Sequence, residues 1–448
     1  MATHTTPEDL PLWKKIMFAL GQTGWALSSY GVAQLIIYFY IPPETSGSIF
    51  KSFIDDNSVG YIFTTVGIIA SSTYFIGSFL EPIVANWSEN ATFSFGRRRT
   101  FLAIACIPFA LLGILVFTPP VEDISAWNSV WLFFTILLLY LFMTLYVTPF
   151  NALINEISHS DKERMQIVMM ISVGFAVGYG IGNSIFGLLP LVEKYFAPHI
   201  AFRVIICGFS LLGLGLMLLP IIFIDEHRYC YKHPAHVINL RMMIAQVFSN
   251  KKFRLYAPVE LINWIVSTMF MMGIPYFITL LFGYSKEYAT LMILLTGVAS
   301  FLTYSFLGRL SANLGSKAVI SLGFKLFALT FIYILLLRYI KIPLAVNIIL
   351  FVLINAFPLA IFGVVPMALI GEIANEDGKE TGIHKNAAFF GMKSFMMKMG
   401  ISIAQLLFPS LLIMGKSKDN PKGVVAIVIT CLICTLLGWA LIKRYPDR

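Results

Sequence analysis

The chain has 448 residues, 58% of them hydrophobic and 12% charged, with a mean hydropathy of +0.80. A soluble domain carries about 25% charged residues, so this composition excludes an ordinary soluble globular protein and describes a chain solvated by lipid. The formal net charge of +9 is explained below by membrane topology and requires no nucleic-acid partner.

The hydrocarbon core of a bilayer takes about 20 apolar residues per helix, and a helix satisfies its own backbone groups there. Twelve apolar runs meet that length, at residues 14–41, 58–85, 100–118, 129–155, 165–190, 204–224, 255–282, 288–308, 318–337, 344–371, 387–414 and 423–442. Residues 1–15 lack a basic region followed by a short apolar core and a small-residue cleavage site. No cleaved signal peptide is therefore expected, and the first run is expected to target the chain to the membrane.

The first run carries Gln22, Trp25, Tyr30 and Gln34. The amides suit a polar cavity or a helix–helix hydrogen bond, and the two aromatic rings suit stacking on a sugar or plain packing. The second run holds a lone carboxylate, Glu81, and ends in a basic turn, Gly96, Arg97, Arg98 and Arg99. The fourth run adds Asn151 and Asn155 to the cavity candidates, then leaves through Pro149, Glu156 and the sequence DKER. In the fifth, Gly174, Gly178 and Gly182 are four apart, a spacing that allows close helix approach; Asn183 follows them.

The stretch 225–254 contains no full span. His227, Cys230, His233 and His236 are three apart in it, but that spacing matches no zinc pattern well and Pro234 breaks a helix there; no metal site is expected. Val237, Leu240, Ile244, Val247 and Phe248 recur at helical spacing and predict an interfacial helix against the inner leaflet.

The seventh run holds Glu260 and Asn263, the ninth Lys325, the tenth Asn355, and the eleventh Lys393 and Lys398; the eighth leaves through a second basic turn, Gly315 and Lys317. Five cysteines lie in spans or on the cytoplasmic side, so a disulfide framework is not expected.

The two halves repeat. Gly96 and Gly315 open similar basic turns, and Pro149 with Glu156 corresponds to Pro366 with Glu372 at almost the same offset. A six-helix unit duplicated in parallel orientation is the pattern of the major facilitator architecture. Of 32 lysines and arginines, 20 fall on the segments that are cytoplasmic if both termini are inside, which supports an N-in, C-in chain. The expectation is an all-α integral membrane protein with twelve transmembrane helices: an N-terminal bundle (1–224), a cytoplasmic middle loop (225–254) and a C-terminal bundle (255–448). Gly96, Arg97, Arg98, Arg99, Gly315 and Lys317 then belong to a cytoplasmic gate and topology signal.

An ionisable group at a helix centre in lipid costs about 2.5–3.5 kcal/mol or more unless paired or hydrated. Glu260 lies near a span end, and Lys325 and Lys393 have long stems, so all three are expected to reach interfacial water. Glu81 and Lys398 are harder to accommodate. They read either as an ion-coupling pair, in which a proton or Na+ competes with Lys398 for Glu81, or as a permanent ion pair that fixes packing.

Three blocks resemble the glycoside–pentoside–hexuronide (melibiose permease-like) cation symporters of the major facilitator superfamily: EPIVANWSENATFSFGRRR, TPFNALINEISHSDKERMQI and ALIGEIANEDGKETGIHKNAAFFGMKSFMMKMG. The resemblance places Glu81 where the family has a cation-binding Asp before Pro, and Lys398 at its eleventh-span lysine. It places Gly77, Thr23, Val147 and Ser172 where the family has, respectively, a second Asp, a first-span acid, a sugar-binding Asp and a sugar-binding Arg. One carboxylate suffices for a proton, whereas a hard cation wants several oxygen ligands, so H+ is favoured over Na+.

The implied function is a secondary active transporter performing H+-coupled symport of a sugar or glycoside by alternating access. The alternatives are a carrier of a less polar solute or lysolipid, and a non-transporting membrane receptor or scaffold. No phosphate-binding glycine loop or nucleophile–base set indicates an enzyme. Beyond the coupling ion, H+ or Na+, no cofactor is expected. The expected partners are a small-molecule substrate and the lipid bilayer, the expected state is a monomer, and the expected location is the cytoplasmic (inner or plasma) membrane.

Overall fold

The computed structural model describes residues 8–44, 52–55, 58–59, 63–91, 93–230, 247–340, 342–381 and 386–446. Helices dominate because lipid offers the backbone no hydrogen-bond partner. Contacts in space divide the chain into two compact units, residues 1–39 with 76–237 and residues 40–75 with 238–448.

The first unit is built from α1 (Leu12–Tyr40), the later part of α2 (Thr65–Asn90), α3 (Arg97–Leu115), α4 (Ala126–Glu156), α5 (Asp161–Asn183), α6 (Ile185–Val192), α7 (Pro198–Phe223) and the short α8 (Glu226–Tyr229). Ser125 caps α4 by accepting from the Trp127 amide, and Ser160 caps α5 by accepting from Glu163 N. Small residues set the helix spacing. A Cβ at Gly178 would meet the Thr23 carbonyl oxygen at 2.6 Å and one at Gly24 would meet the Gly213 carbonyl oxygen at 2.6 Å, so α1 lies against both α5 and α7 at backbone distance. Rings fill the remaining gaps: Phe18 stacks on Phe150 at 4.3 Å, and Phe39, Phe117 and Phe202 pack on one another.

The second unit holds the hairpin of β1 (Ser58–Val59) and β2 (Phe63–Thr64), the first part of α2, α9 (Lys251–Tyr276) with a π-helical turn at Phe277–Leu281, α10 (Glu287–Leu314), α11 (Ser316–Leu337), α12 (Leu344–Thr381), α13 (Asn386–Leu412) and α14 (Lys422–Lys443). The strands are antiparallel, with Ser58 opposite Thr64. Its core is an aromatic cluster centred on Phe270, Phe327, Phe331 and Phe351.

Among the described residues, eleven helices are long and apolar enough to cross a membrane. α1 is not one of these eleven; its 29 residues nevertheless extend about 44 Å at 1.5 Å per residue. Three details depart from the apolar runs. The run beginning at residue 58 opens as the hairpin, and its helix starts at Thr65 because the Thr64 hydroxyl accepts from Gly67 N as a cap. The fifth run is interrupted at Ser184, whose hydroxyl takes the Ile181 carbonyl and diverts the helix. The tenth run continues as helix through the acidic stretch to Thr381, where Asp377 accepts from Asn250 Nδ2 at 3.0 Å and Thr381 donates back to the Asp377 carbonyl. Most of the interfacial helix expected from the spacing of Val237 to Phe248 lies outside the described residues, as do His233 and His236.

Candidate functional site

Glu81 and Pro82 are consecutive residues inside the helix α2. Pro82 has no amide hydrogen, so the Ser78 carbonyl loses its helical donor one turn before the carboxylate. Glu81 is half-buried and Ser78 is buried. Gly77, one turn earlier, lies against Tyr140 of α4; a Cβ there would be 3.2 Å from the tyrosine Cβ. A side chain at position 77 would ask α2 and α4 to give by a few tenths of an ångström, and Glu81 is the one carboxylate between Thr65 and Pro82 of α2.

The polar candidates of the first unit fall into two groups. Gln22 is buried and accepts from Trp25 Nε1 at 2.9 Å, and the Trp25 ring lies 5.9 Å from Phe175. Asn151 and Asn155 are exposed on α4, and Asn183 bonds back to the Tyr179 carbonyl. The side chains of Tyr30 and Gln34 lie outside the described residues. Along α1 and α5 runs a groove of about 380 Å3 lined by Ile16, Leu20, Met169, Val173 and Val177, with Thr23 as its polar group. Ser172 points its hydroxyl to the Val168 carbonyl of its own helix. The sequence motifs did not announce this groove; its signal is the apolar i, i+4, i+8 spacing of Met169, Val173 and Val177 beside a glycine face.

In the second unit Lys398, Ser402 and Gln405 share one face of α13 at i, i+4 and i+7 and are all buried. Ser402 Oγ reaches the Ser71 carbonyl at 2.9 Å and the Ser71 hydroxyl at 3.0 Å, and a Cβ at Gly67 would touch Pro409. The start of α2 is thus fastened to this polar stripe. Gln405 Oε1 has no hydrogen-bond partner among the described residues. An orphaned buried amide oxygen costs about 1–3 kcal/mol, which marks Gln405 as a polar contact for water or ligand that sequence reading passed over.

Glu260 and Lys393 do not escape to water as their positions suggested. They are 1% and 7% exposed and pair at 2.9 Å. Trp264 Nε1 donates to the same carboxylate at 2.9 Å and Tyr256 OH donates to its other oxygen. Three donors converge on this buried carboxylate, so the group is a lock between α9 and α13. Lys325 is exposed and lies 5.7 Å over the Trp439 ring. Asn263 accepts from Ser267 at 3.3 Å, and Asn355, fully buried, donates to the Phe351 carbonyl at 2.8 Å.

The arginines fasten helix ends within the first unit. Arg97 Nη2 and Arg98 Nε reach Glu156 Oε1 at 2.8 and 3.1 Å, and Arg98 also donates to Ser88. The backbone amide of Arg99 donates to Glu226, while its side chain donates to the Ile221 carbonyl and lies over Phe95. Gly96 precedes them at φ 112, and Gly315 holds the corresponding turn of the second unit at φ 83, before Ser316 and Lys317. Asp9, His159 and Glu163 form a group of metal-ligand types among the described residues. Both Glu163 oxygens are already taken, by Lys15 at 2.7 Å and by the His159 amide at 2.8 Å, so the group is an ion-pair node. Burial, followed by the charges of Glu156 and Glu226, pushes the Cys230 thiol up and keeps it neutral, which makes it a poor metal ligand.

Known proteins agree with this architecture. The nucleoside transporter NupG superposes with a TM-score of 0.65 at 12% identity, over 97% of this chain and 100% of that one; a point mutant of it reaches 0.70 at 13% identity with the same coverage. A point mutant of the peptide transporter POT superposes at 0.67 with 13% identity, over 98% of this chain and 97% of that one. No curated protein matches the chain in sequence. Residues 17–446 match the family described as MFS/sugar transport protein, and the chain therefore belongs to that family of multi-pass membrane transporters, with the major facilitator fold.

Proposed function

We propose that this secondary transporter carries a sugar or glycoside together with H+, in preference to Na+, by alternating access. Its two working bodies are the bundles 1–224 and 255–448, joined by the cytoplasmic loop 225–254. Glu81 carries the coupling proton, and Lys398 is the positive charge with which that proton competes. The reading rests on one observation: Glu81 is half-buried beside Pro82, and one turn earlier position 77 is a glycine packed against Tyr140 and not a second carboxylate. That suits a proton better than a hard cation needing several oxygens. Lys398, Ser402 and Gln405 supply the polar wall of the second unit.

A second reading, a carrier of a less polar solute or a lysolipid, is favoured by the groove along α1 and α5, whose walls are apolar apart from Thr23. Uptake into proteoliposomes of radiolabelled sugars and lysolipids, under imposed H+ or Na+ gradients, separates the two. Sugar accumulation driven by H+, abolished in Glu81→Gln while downhill exchange persists, is the expected result. Accumulation unchanged in Glu81→Gln makes that residue a packing partner and ends the coupling role. Uptake confined to lysolipids selects the second reading, and binding of substrate without any flux points to a receptor.

A further inference from the structure

In the second unit the start of α11 lies against the end of α14. A Cβ at Gly438 would meet the Phe324 ring at 2.5 Å, and Trp439 Nε1 donates to Ser321 Oγ at 3.1 Å. The Trp439 ring is thereby held in place, and two ammoniums share it: Lys325 Nζ lies 5.7 Å and Lys443 Nζ 3.6 Å from its centroid. Both lysines are exposed, and among the described residues neither has a carboxylate partner. The acidic groups at this end of α12 are engaged elsewhere, Glu372 accepting from Ser316 at 2.8 Å and Glu376 pairing with Lys252. Arg444, also exposed, adds a third positive charge next to Lys443.

Like charges gathered round one ring repel until an anion balances them. Lys325 sits nine residues into α11, about 14 Å along the helix at 1.5 Å per residue, and a charge within a span is costly unless paired or hydrated. Its stem leads the ammonium back toward the interface, the level at which tryptophan is enriched. Away from the cations both helices turn an apolar stripe outward. Lys325 is followed by Leu329, Ile332 and Leu336 at i+4, i+7 and i+11, and Lys443 is preceded by Leu436, Ile433 and Ile429 at i−7, i−10 and i−14; all six are exposed. Each stripe therefore ends in a lysine at the same ring. The lysine and arginine count predicts that this end of α14 is cytoplasmic, on the leaflet that carries anionic lipid.

We infer that Lys325, Lys443 and Trp439 form a headgroup site for an anionic phospholipid whose acyl chains lie along the two exposed stripes. The ammoniums are compact point charges with three donors each and suit phosphate oxygens. The ring positions both stems, and the stripes supply the apolar surface that a free anion would leave unused. The site is independent of which solute is carried, and its test does not use transport.

The test is native mass spectrometry of the full chain, delipidated in detergent and titrated with phosphatidylglycerol or phosphatidylcholine. Wild type should prefer phosphatidylglycerol. Lys325→Gln combined with Lys443→Gln should weaken that binding about thirtyfold, the scale of two basic side chains at an anionic surface, while Lys325→Arg with Lys443→Arg should retain it. Arg338→Gln with Lys422→Gln removes two charges at the opposite ends of the same helices and should leave binding unchanged. In nanodiscs, phosphatidylglycerol with a photoreactive acyl chain should label peptides covering residues 326–337 and 428–437. Equal affinity for the two lipids in wild type, equal weakening by the two glutamine pairs, or labelling confined to other helices overturns the site. Displacement of the lipid by inorganic phosphate overturns it in favour of a free-anion site. The carboxylate of Asp447 lies outside the described residues; a lipid preference that appears only in Asp447→Asn gives the lysines to the chain's own acid and overturns the proposal as well.

Discussion

The turn from α2 to α3 and the turn from α10 to α11 are built on one plan with different chemistry. Each opens on a glycine at positive φ, Gly96 and Gly315, and each next residue donates at 2.8 Å to the glutamate near the end of a proline-bearing helix, Arg97 to Glu156 and Ser316 to Glu372. In the first unit the donor is a guanidinium, reinforced by Arg98; in the second it is a hydroxyl, itself in contact with Ser311. The backbone solution is shared, while the strength and salt sensitivity of the clamp are set by the side chain. The second unit instead buries an ion pair inside the bundle, at Glu260 and Lys393.

That contrast predicts a ranked series of unfolding temperatures in detergent. Lys393→Met leaves a saturated carboxylate without its cation and should cost about 3–5 kcal/mol. The double change Glu260→Gln with Lys393→Met should cost much less than the two single changes added together. Arg98→Ala should come next, at about 2–3 kcal/mol for a buried charged hydrogen bond, because Arg97 still holds Glu156. Gly96→Ala and Gly315→Ala test the shared backbone: both should cost about 1–3 kcal/mol for the forbidden φ. Gly96 should be the worse, since its new Cβ would sit 3.0 Å from the Glu226 carboxylate. Ser316→Ala should be mildest, near 1 kcal/mol. A Ser316→Ala loss equal to that of Arg98→Ala would break the contrast between the two turns.

The helical membrane architecture was legible because apolar runs of some 20 residues have few other physical solutions, and the glycine and glutamate spacing exposed the repeated turns. The hairpin at residues 58–64 was not legible, since a short apolar, β-branched stretch reads equally as strand or buried helix. Glu260 and Lys393 were misplaced for a different reason. Each has an escape to water when taken alone, and only tertiary packing brings positions 133 residues apart within 2.9 Å. The stripe of Lys398, Ser402 and Gln405 recurs at i, i+4 and i+7, but serine and glutamine in an apolar helix bond as readily to their own backbone or a neighbouring helix, so spacing alone does not single them out. The φ values at Gly96 and Gly315, by contrast, are what a glycine between two helices suggests.

The contact of Gly77 with Tyr140 also says what sets the distance between two helices. The atom nearest an added Cβ at position 77 is the Cβ of Tyr140, at 3.2 Å, and every residue except glycine carries that atom. The approach of α2 to α4 is therefore a matter of backbone spacing: trimming the tyrosine to alanine leaves the contact in place, and any side chain at position 77 asks the two helices to part by a few tenths of an ångström.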